Sequence, residues 1–327
     1  MQARDYNWET HATSPEIDMS QIPQIIIETD IFTDVDDVGA LAIAHTFADE
    51  GKAELISIGV NTPSRFGEVA VRVVNAFFGR QVPVGALLPL DDSVTDHDYA
   101  RYLTTTYPEL VPRFETEAAV RTHRAALSSA DDGNVTVISL GFFANFRDLL
   151  ASAGDDISPL TGRELIARKV ARFVIMGGYF PTGVEYNIAE FAETAKGVID
   201  AWPTPIEFLG WEVGAPVVTG SSISLDGAEN VVGAAYRHFG GAGHGRESWD
   251  PLAAHFALAP QSRFYRLSPP GTVTVDAAGS TSFVESPDGH HRYVILNADP
   301  VVIAAGIDEI FERGTRRHLQ HQGFSTD

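Results

Sequence analysis

Residues 25–41, IIIETDIFTDVDDVGAL, carry five acidic side chains directly behind a run of isoleucines. These acids are Glu28, Asp30, Asp34, Asp36 and Asp37. Carboxylates this close together repel one another strongly unless they share a cation or take up protons. Oxygen ligands suit a hard cation such as Ca²⁺ or Mg²⁺ better than zinc, which prefers nitrogen and sulfur. The segment therefore predicts a divalent cation site.

Other uses of these acids explain less of the pattern. Aspartate at a helix start often caps the helix and favours its dipole, and capping is sufficient to explain Asp34 alone. One helix start cannot use the whole set. An EF-hand loop is excluded because its D-x-D-x-D-G pattern is missing. The segment DIFT (30–33) also lacks the second aspartate of the D-x-D-x-T pattern of aspartyl phosphatases.

Six short apolar runs provide the elements that must position these acids. They are IIIET (25–29), AELISIGVN (53–61), VTVISLG (135–141), RFVIMGG (172–178), IEFLG (206–210) and YVILN (293–297). Continuous β-branched runs that alternate with helical segments indicate parallel strands covered on both faces. We expect a single open, mostly parallel α/β sheet flanked by helices. Ligands bind beyond the carboxyl ends of such strands, where these runs end in polar residues or glycine.

Helices and inserted excursions fill the intervals between the runs. Residues 35–51 and 66–79 have apolar side chains at helical spacing. Residues 90–117 are acidic and rich in Tyr and His, and they predict an excursion from the sheet that is suited to cover a site. Residues 221–247 form a second, Gly-rich excursion, and 276–292 predict a small C-terminal hairpin.

The charge balance narrows the class of partner. Lys and Arg number 23 against 44 Asp and Glu, which gives a net charge of −21. Such a chain repels nucleic acid phosphates and anionic membrane surfaces, so a small-molecule partner is favoured. The absence of cysteine excludes a disulfide, a thiolate zinc site and a cysteine nucleophile.

The domain organisation is predicted to be simple. No internal repeat or Pro/Ser-rich linker divides the 327 residues, which predicts one domain over residues 1–327 with a polar N-terminal extension at 1–24. The extension lacks the basic start and apolar core of a secretory signal, so the expected location is the cytoplasm. No apolar run reaches the roughly 20 residues that a membrane-spanning helix needs.

The stretch ETDIFTDVDDVGAL resembles the N-terminal signature of the nucleoside hydrolases, which is an aspartate, a short turn and then Asp-Asp-x-x-Ala-Leu. It is most similar to a longer-turn variant that has an additional aspartate where Asp34 stands. Phe32 occupies a position where that variant usually has glycine, so the resemblance does not predict the backbone conformation of the turn. Further matches follow in the family's order over most of the chain. The resemblance implies the family's fold and a bound calcium ion.

The metal ligands implied by the resemblance come from three parts of the chain. They are Asp30, Asp37, the backbone carbonyl of Ala144 in LGFFAN, and Asp250 in RESWDP. Asp30 and Asp36 are the carboxylates that remain to accept a proton from water or to bond the 2′-hydroxyl, and we predict Asp30 as the base. Taken alone, Asp250 before a proline and a helix is equally a helix N-cap.

The resemblance also implies a set of sugar contacts. Asn61 ends the second strand, where the family's asparagine approaches the sugar. Met176 in VIMGG matches an element under the nucleoside, and Glu185 and Asn187 in VEYN match residues that hold ribose hydroxyls. Each has an ordinary structural alternative, since methionine at a strand end packs in cores and asparagine favours turns.

Trp249 stands where many members of the family have a histidine that protonates the leaving base. Tryptophan cannot act as a general acid, because its indole N–H is a hydrogen-bond donor that is only very weakly acidic. The chain is closer in this respect to members that stack a purine between tryptophans, although Trp249 could equally be core packing. His97 and His244 are the remaining candidates to supply a proton, and both residues are more often found at surfaces.

The resemblance implies calcium-dependent hydrolysis of the N-glycosidic bond of ribonucleosides, with purines favoured, by a homodimer or homotetramer. Two alternatives stay open. Phe32 and the missing histidine would fit a catalytically impaired relative that binds nucleosides or ribose in the same pocket. A metal-dependent phosphohydrolase would also use the aspartates, but no Gly-rich phosphate loop or cluster of Arg and Lys lies beside them.

Overall fold

A computed structural model of the protein describes residues 22–32, 34–91, 93, 99–227 and 229–321. Most of the predicted N-terminal extension, residues 1–24, lies outside the described residues. Within the described ranges, no helix is both long enough and apolar enough to cross a membrane.

The described chain contains thirteen strands. They are β1 (Gln24–Thr29), β2 (Glu54–Val60), β3 (Val84–Ala86), β4 (Val135–Ser139), β5 (Val170–Met176), β6 (Thr182–Val184), β7 (Ile206–Leu209), β8 (Val218–Thr219), β9 (Arg246–Glu247), β10 (Tyr265–Leu267), β11 (Gly271–Val275), β12 (Ser280–Glu285) and β13 (His291–Leu296). Strands β8 and β9 pair only with each other, and the other eleven form the main sheet.

The main sheet is open and mostly parallel, as predicted. Its order is β3-β2-β1-β4-β5-β7-β13-β11-β12-β6, and β10 pairs with β13. The first seven strands of this order, β3 to β13, are parallel to one another. Strands β10, β11, β12 and β6 add an antiparallel part.

All six apolar runs form strands, namely β1, β2, β4, β5, β7 and β13. These strands are continuously apolar because both faces of the sheet are covered, as expected. In β1, Ile25 and Ile27 enter one hydrophobic core and Ile26 enters the other. Successive side chains of a strand point to opposite faces, so every position of such a strand must be apolar.

Twelve helices are present in the described chain. They are α1 (Asp36–Asp49), α2 (Arg65–Phe77), α3 (Tyr99–Thr106), α4 (Ala119–Ser129), α5 (Ala144–Ala151), α6 (Gly162–Lys169), α7 (Tyr186–Ala189), α8 (Ala192–Ala201), α9 (Trp211–Gly214), α10 (Val231–Gly240), α11 (Trp249–Leu258) and α12 (Pro300–His321). The predicted helices are confirmed as α1 and α2. Helices α1, α2, α11 and α12 share one core, whereas α4, α5, α6 and α8 share the other.

The predicted excursions contain packed elements. The described part of residues 90–117 includes α3, which packs against α2 and α10. The predicted hairpin is present but begins earlier than residues 276–292, because it consists of β11 and β12. Asp276 accepts the backbone N–H groups of Ala278 and Ser280 at 2.9 Å and closes this turn. The end of the predicted range belongs to β13, which is parallel to β7.

Candidate active site

Three of the four predicted metal ligands meet at the carboxyl end of the parallel strands. Asp30 follows β1, whereas Asp37 and Asp250 lie in the first turns of α1 and α11, two helices that pack together. One carboxylate oxygen from each lies within 4.8 Å of those of the other two. Asp37 and Asp250 are buried and Asp30 is partly exposed, so the cluster is deep and opens at Asp30.

Burial dominates the electrostatics of this cluster. It is the largest cause that raises the pKa of Asp30 to about 7. Burial and then the neighbouring aspartates also raise the pKa of Asp37 and that of Asp250 well above the usual range. Thr29 Oγ1 donates to Asp37 Oδ1, but Asp37 Oδ2 is buried without a partner among the described residues. An oxygen-only cluster with an unpartnered buried oxygen fits a hard divalent cation.

Asp36 lies beside this cluster and has another partner. Its Oδ2 accepts the backbone N–H of Asp250 at 3.0 Å, which fastens the start of α11 to the start of α1. Asp250 itself is not the helix N-cap, because Ser248 occupies that position. Its carboxylate is therefore free to face Asp30 and Asp37. The predicted catalytic role of Asp36 stays a prediction.

Asp34 does not act mainly as a helix cap. The N-cap of α1 is Val35, and no side chain caps this helix. Asp34 Oδ1 accepts the N–H of Val35, but both of its oxygens also bond the Arg246 guanidinium at 2.6–3.2 Å. The extra aspartate of the longer turn is thus an ion-pair partner for a residue 212 positions away. Phe32, where glycine was expected, is partly buried.

Glu28 does not join the aspartates, although the sequence places all five acids in one segment. Its fully buried carboxylate accepts from Asn145 Nδ2 at 2.9 and 3.1 Å and lies 2.6 Å from His123 Nε2. These partners belong to α5 and α4, in the layer opposite α1. Strand β1 ends at Thr29 and the chain then turns, so Glu28 and Asp30 do not share a face.

Asn61 directly follows β2 and contacts the loop that follows β4. It is 2% exposed, and its Oδ1 accepts the N–H of Phe142 at 3.1 Å. Its Nδ2 has no partner among the described residues and remains available as a donor. The same loop passes close to Asp30, since a Cβ on Gly141 would lie 2.5 Å from the Asp30 carboxyl carbon. Ala144, the fourth predicted ligand, begins α5 directly after this loop.

Met176, Glu185 and Asn187 form one hydrogen-bonded group. Asn187 Nδ2 donates to the Met176 carbonyl at 3.3 Å and contacts its sulfur at 3.2 Å. The Glu185 carboxylate accepts the N–H groups of Gly178 and Asn187 at 2.9 and 2.7 Å, and it is the N-cap of α7. Burial raises the pKa of Glu185 to about 7. The glutamate therefore has a structural role in addition to the predicted ribose contact.

Trp249 belongs to an aromatic wall formed with Trp211 and Tyr179. Trp249 Nε1 donates to the carbonyl of Trp211 at 2.9 Å, and their ring centroids lie 6.5 Å apart. Tyr179 stacks on Trp211 at 5.8 Å. The Arg246 guanidinium lies 4.9 Å from the Trp249 ring, so Trp211, with 45% of its surface exposed, is the more open platform.

Sequence reasoning missed Trp211 and Tyr99. A signal for Trp211 existed, because it follows the strand run IEFLG directly. Tyr99 begins α3 in the Tyr-rich excursion and is 1% exposed, and its hydroxyl has no partner among the described residues. Burial raises its pKa most, followed by the charges of the aspartates, of which Asp37 is first. Tyr99 therefore lies near the cluster.

The two histidines considered as proton sources do not join this arrangement. His97 lies outside the described residues. His244 is exposed, and its Nδ1 lies 3.2 Å from the carbonyl of Ala242 in its own loop.

No family model and no curated protein matches the chain. Solved structures do match it over most of its length. The plant nucleoside hydrolase PpNRh1 has a TM-score of 0.66 and 21% identity, covering 90% of this chain and 99% of its own. The inosine-uridine preferring nucleoside hydrolase of Bacillus anthracis has a TM-score of 0.64 and 18% identity, with 90% and 99% covered.

A third similar structure is the type III effector protein XopQ complexed with adenosine diphosphate ribose. It has a TM-score of 0.64 and 14% identity, covering 90% of this chain and 94% of its own. At identities of 14–21%, these similarities concern the fold alone. The chain therefore has the fold of the nucleoside hydrolases.

Proposed function

We propose that this protein hydrolyses the N-glycosidic bond of ribonucleosides in a calcium-dependent reaction, with purine ribonucleosides preferred. The observation that carries the proposal is the cluster of Asp30, Asp37 and Asp250, whose oxygens converge within 4.8 Å at the carboxyl end of the sheet. The fold shared with nucleoside hydrolases supports the same reaction class.

The three carboxylates and the Ala144 carbonyl would hold the calcium ion. An oxygen-only set favours calcium over zinc. When bound, the ion would lower the pKa of a coordinated water and orient the vicinal hydroxyls of the ribose. Asp30 is the proposed base, because it is the partly exposed member of the cluster.

The sugar and the base have separate partners in this proposal. The unpartnered Asn61 Nδ2 is a donor for a ribose hydroxyl, and Glu185 and Asn187 would contact the others. Losing one such buried hydrogen bond costs roughly 1–3 kcal/mol, so ribose should be preferred over 2′-deoxyribose. The base would stack against Trp211 and Trp249, where a purine offers the larger ring surface.

Two other functions have less support. Binding of a nucleoside or an ADP-ribose-like ligand without hydrolysis is motivated by the similar effector structure, which is complexed with adenosine diphosphate ribose. A phosphohydrolase would need cations around the reacting phosphate. Among the described residues, the guanidinium that faces the aspartates is that of Arg246, and it is engaged by Asp34 and Glu247.

The test is release of reducing sugar from a panel of purine and pyrimidine ribonucleosides, with calcium and after exhaustive chelation. Asp37→Ala should abolish the metal-dependent release. Asp156→Ala is the matched control, because this carboxylate is exposed and pairs with Arg121 at the surface. Tight nucleoside binding without sugar release would favour the binding protein, and phosphate release without free base would favour the phosphohydrolase.

A further inference from the structure

A buried hydrogen-bond network lies on the opposite side of β1 from the aspartate cluster. We call Ser57, His123, Glu28 and Asn145 the Glu28 network. Ser57 Oγ lies 2.8 Å from His123 Nδ1, and His123 Nε2 lies 2.6 Å from Glu28 Oε1. Asn145 Nδ2 donates to both Glu28 oxygens and to the Val60 carbonyl at 2.9–3.1 Å.

The Glu28 network has the composition of a serine hydrolase triad, but it cannot act as one. Ser57, His123 and Glu28 are each 0% exposed and Asn145 is 2% exposed, so no substrate reaches the serine. The backbone is built around the carboxylate. A Cβ on Gly59 would lie 1.8 Å from Glu28 Oε1 and 2.6 Å from His123 Nε2, so only glycine fits there. We therefore expect this buried, hydrogen-bonded network to have a function other than nucleophilic attack.

The members of the Glu28 network adjoin residues of the candidate site. Glu28 lies two positions before Asp30, and Asn145 directly follows Ala144. Val60, whose carbonyl accepts from Asn145, directly precedes Asn61. A movement of Asn145 relative to Glu28 would therefore change the separation of Ala144 from Asp30.

Asn145 is the side chain that fixes the first turn of α5. The N-cap of this helix is Phe143, and no side chain caps it. The preceding loop is fastened by other bonds, because Leu140 N donates to the Glu28 carbonyl at 2.8 Å and Phe142 N donates to Asn61 at 3.1 Å. The Leu140 carbonyl also accepts from Asn187 Nδ2 at 3.3 Å. The bonds of Asn145 to Glu28 and Val60 hold a residue of the helix itself, the one directly after Ala144.

We propose that Asn145 and Glu28 are positioning residues that set the Ala144 carbonyl at the correct distance from the metal aspartates. This inference rests on the proposed function, because it takes Ala144 as a calcium ligand. The groups that orient metal ligands commonly contribute 10–100-fold to metal affinity. The Glu28 network would act in this way on a backbone carbonyl, which has no side chain to orient it.

The test measures calcium affinity by isothermal titration on the full chain. Asn145→Leu removes the donor while retaining similar volume, and we expect the calcium Kd to rise by about 10–100-fold. The matched control is Asn75→Leu. Asn75 is also buried, its Oδ1 lies 2.8 Å from His45 Nε2, and its Nδ2 contacts a backbone carbonyl. This control should lower the thermal midpoint without changing the calcium Kd, because neither Asn75 nor His45 is next to a proposed calcium ligand in the chain.

A second variant decides the question if Asn145→Leu does not fold. Glu28→Gln keeps the shape of the side chain but loses one acceptor oxygen, and its calcium Kd should also rise by about tenfold or more. Saturating calcium should restore kcat in either variant, which a general loss of structure would not allow. An unchanged calcium Kd in the folded variants overturns the inference alone. Absence of calcium binding in the wild-type protein overturns the proposed metal site and the inference with it.

Discussion

Arg246 holds Asp34 through three hydrogen bonds of 2.6–3.2 Å, and the same guanidinium lies 4.9 Å from the Trp249 ring. One side chain thus links the turn after β1 to the aromatic wall beside the aspartate cluster. Arg246 also neutralises the Asp34 carboxylate, which lies beside a cluster of other carboxylates. Asp34 and Arg246 are both partly exposed, so the link lies at the rim of the site.

Removal of this link should weaken substrate binding. We expect Arg246→Gln to raise the KM for purine ribonucleosides by about tenfold, because the turn loses its bidentate partner and Trp249 loses the cation on its face. Arg121→Gln is the matched control, since it breaks a bidentate pair with Asp156 that is exposed and remote from the cluster. Equal KM values for both variants would contradict a role of the pair in the site.

Calcium should stabilise the protein more strongly as the pH rises. Burial raises the pKa of Asp30 to about 7, so the metal-free folded protein binds a proton that the unfolded chain lacks between about pH 4 and 7. The contribution of Asp30 to folding stability therefore falls as the pH rises through this window. Calcium must displace that proton, and its stabilising effect should grow by about 1.4 kcal/mol per pH unit for each proton displaced.

The measurement is the thermal midpoint at several pH values, with calcium and with chelator. The difference between the two conditions isolates the cluster, because the contributions of remote histidines such as His45 cancel. Asp250→Asn should show no difference at any pH. A calcium increment in the wild-type protein that is constant from pH 5.5 to 8 would argue against carboxylate ligands with raised pKa values.

Trp211 should decide the preference for purines. Trp211→Ala should raise the KM for purine ribonucleosides by about fivefold and that for pyrimidine ribonucleosides less, because the smaller ring loses less stacking. The control is Trp202→Phe, which alters a mostly buried tryptophan that stacks on Phe173 in the other core. The ratio of the two KM values is the measured quantity. If Trp202→Phe changes this ratio as much as Trp211→Ala does, then Trp211 does not contact the base.

Tyr99 offers a test in which stability and activity change in opposite directions. Its buried hydroxyl lacks a partner, so Tyr99→Phe should stabilise the metal-free protein by about 1 kcal/mol. The same change should lower kcat by about tenfold if the hydroxyl bonds a reacting group beside the aspartates. Denaturant unfolding and initial rates provide the two values. Tyr265→Phe, which removes a hydroxyl 2.8 Å from His255 Nδ1, should lower stability and leave kcat unchanged.

The parallel half of the fold could be predicted because its strands are buried on both faces and read as continuous apolar runs. The two-residue strands β8 and β9 are too short to have a pattern, and the short antiparallel strands carry only the weaker alternating pattern of a sheet with one buried face. Strand β11, for example, alternates buried and exposed positions over five residues. Tertiary pairing rather than local pattern decides where such short segments form strands.

Within the site, the residues next to strand and helix ends were predictable, and pairings over long separations were not. Asp30, Asp37 and Asp250 were predicted to lie together because their positions match the signature that the chain resembles, and their carboxylate oxygens do lie within 4.8 Å of one another. Glu28 was grouped with them wrongly, because the sequence does not show that its side chain meets His123 and Asn145 on the other face of the sheet. Nothing near Asp34 indicates that Arg246, 212 residues later, is its partner.

The aspartate cluster and the aromatic wall differ in how deeply they lie in the fold. Asp37 and Asp250 are buried in the first turns of two helices that pack on each other. Tyr179 and Trp211 lie partly or largely exposed just beyond β5 and β7, where a new side chain meets mainly solvent. Substitutions at this rim would therefore change the exposed aromatic surface while leaving the aspartate cluster in place.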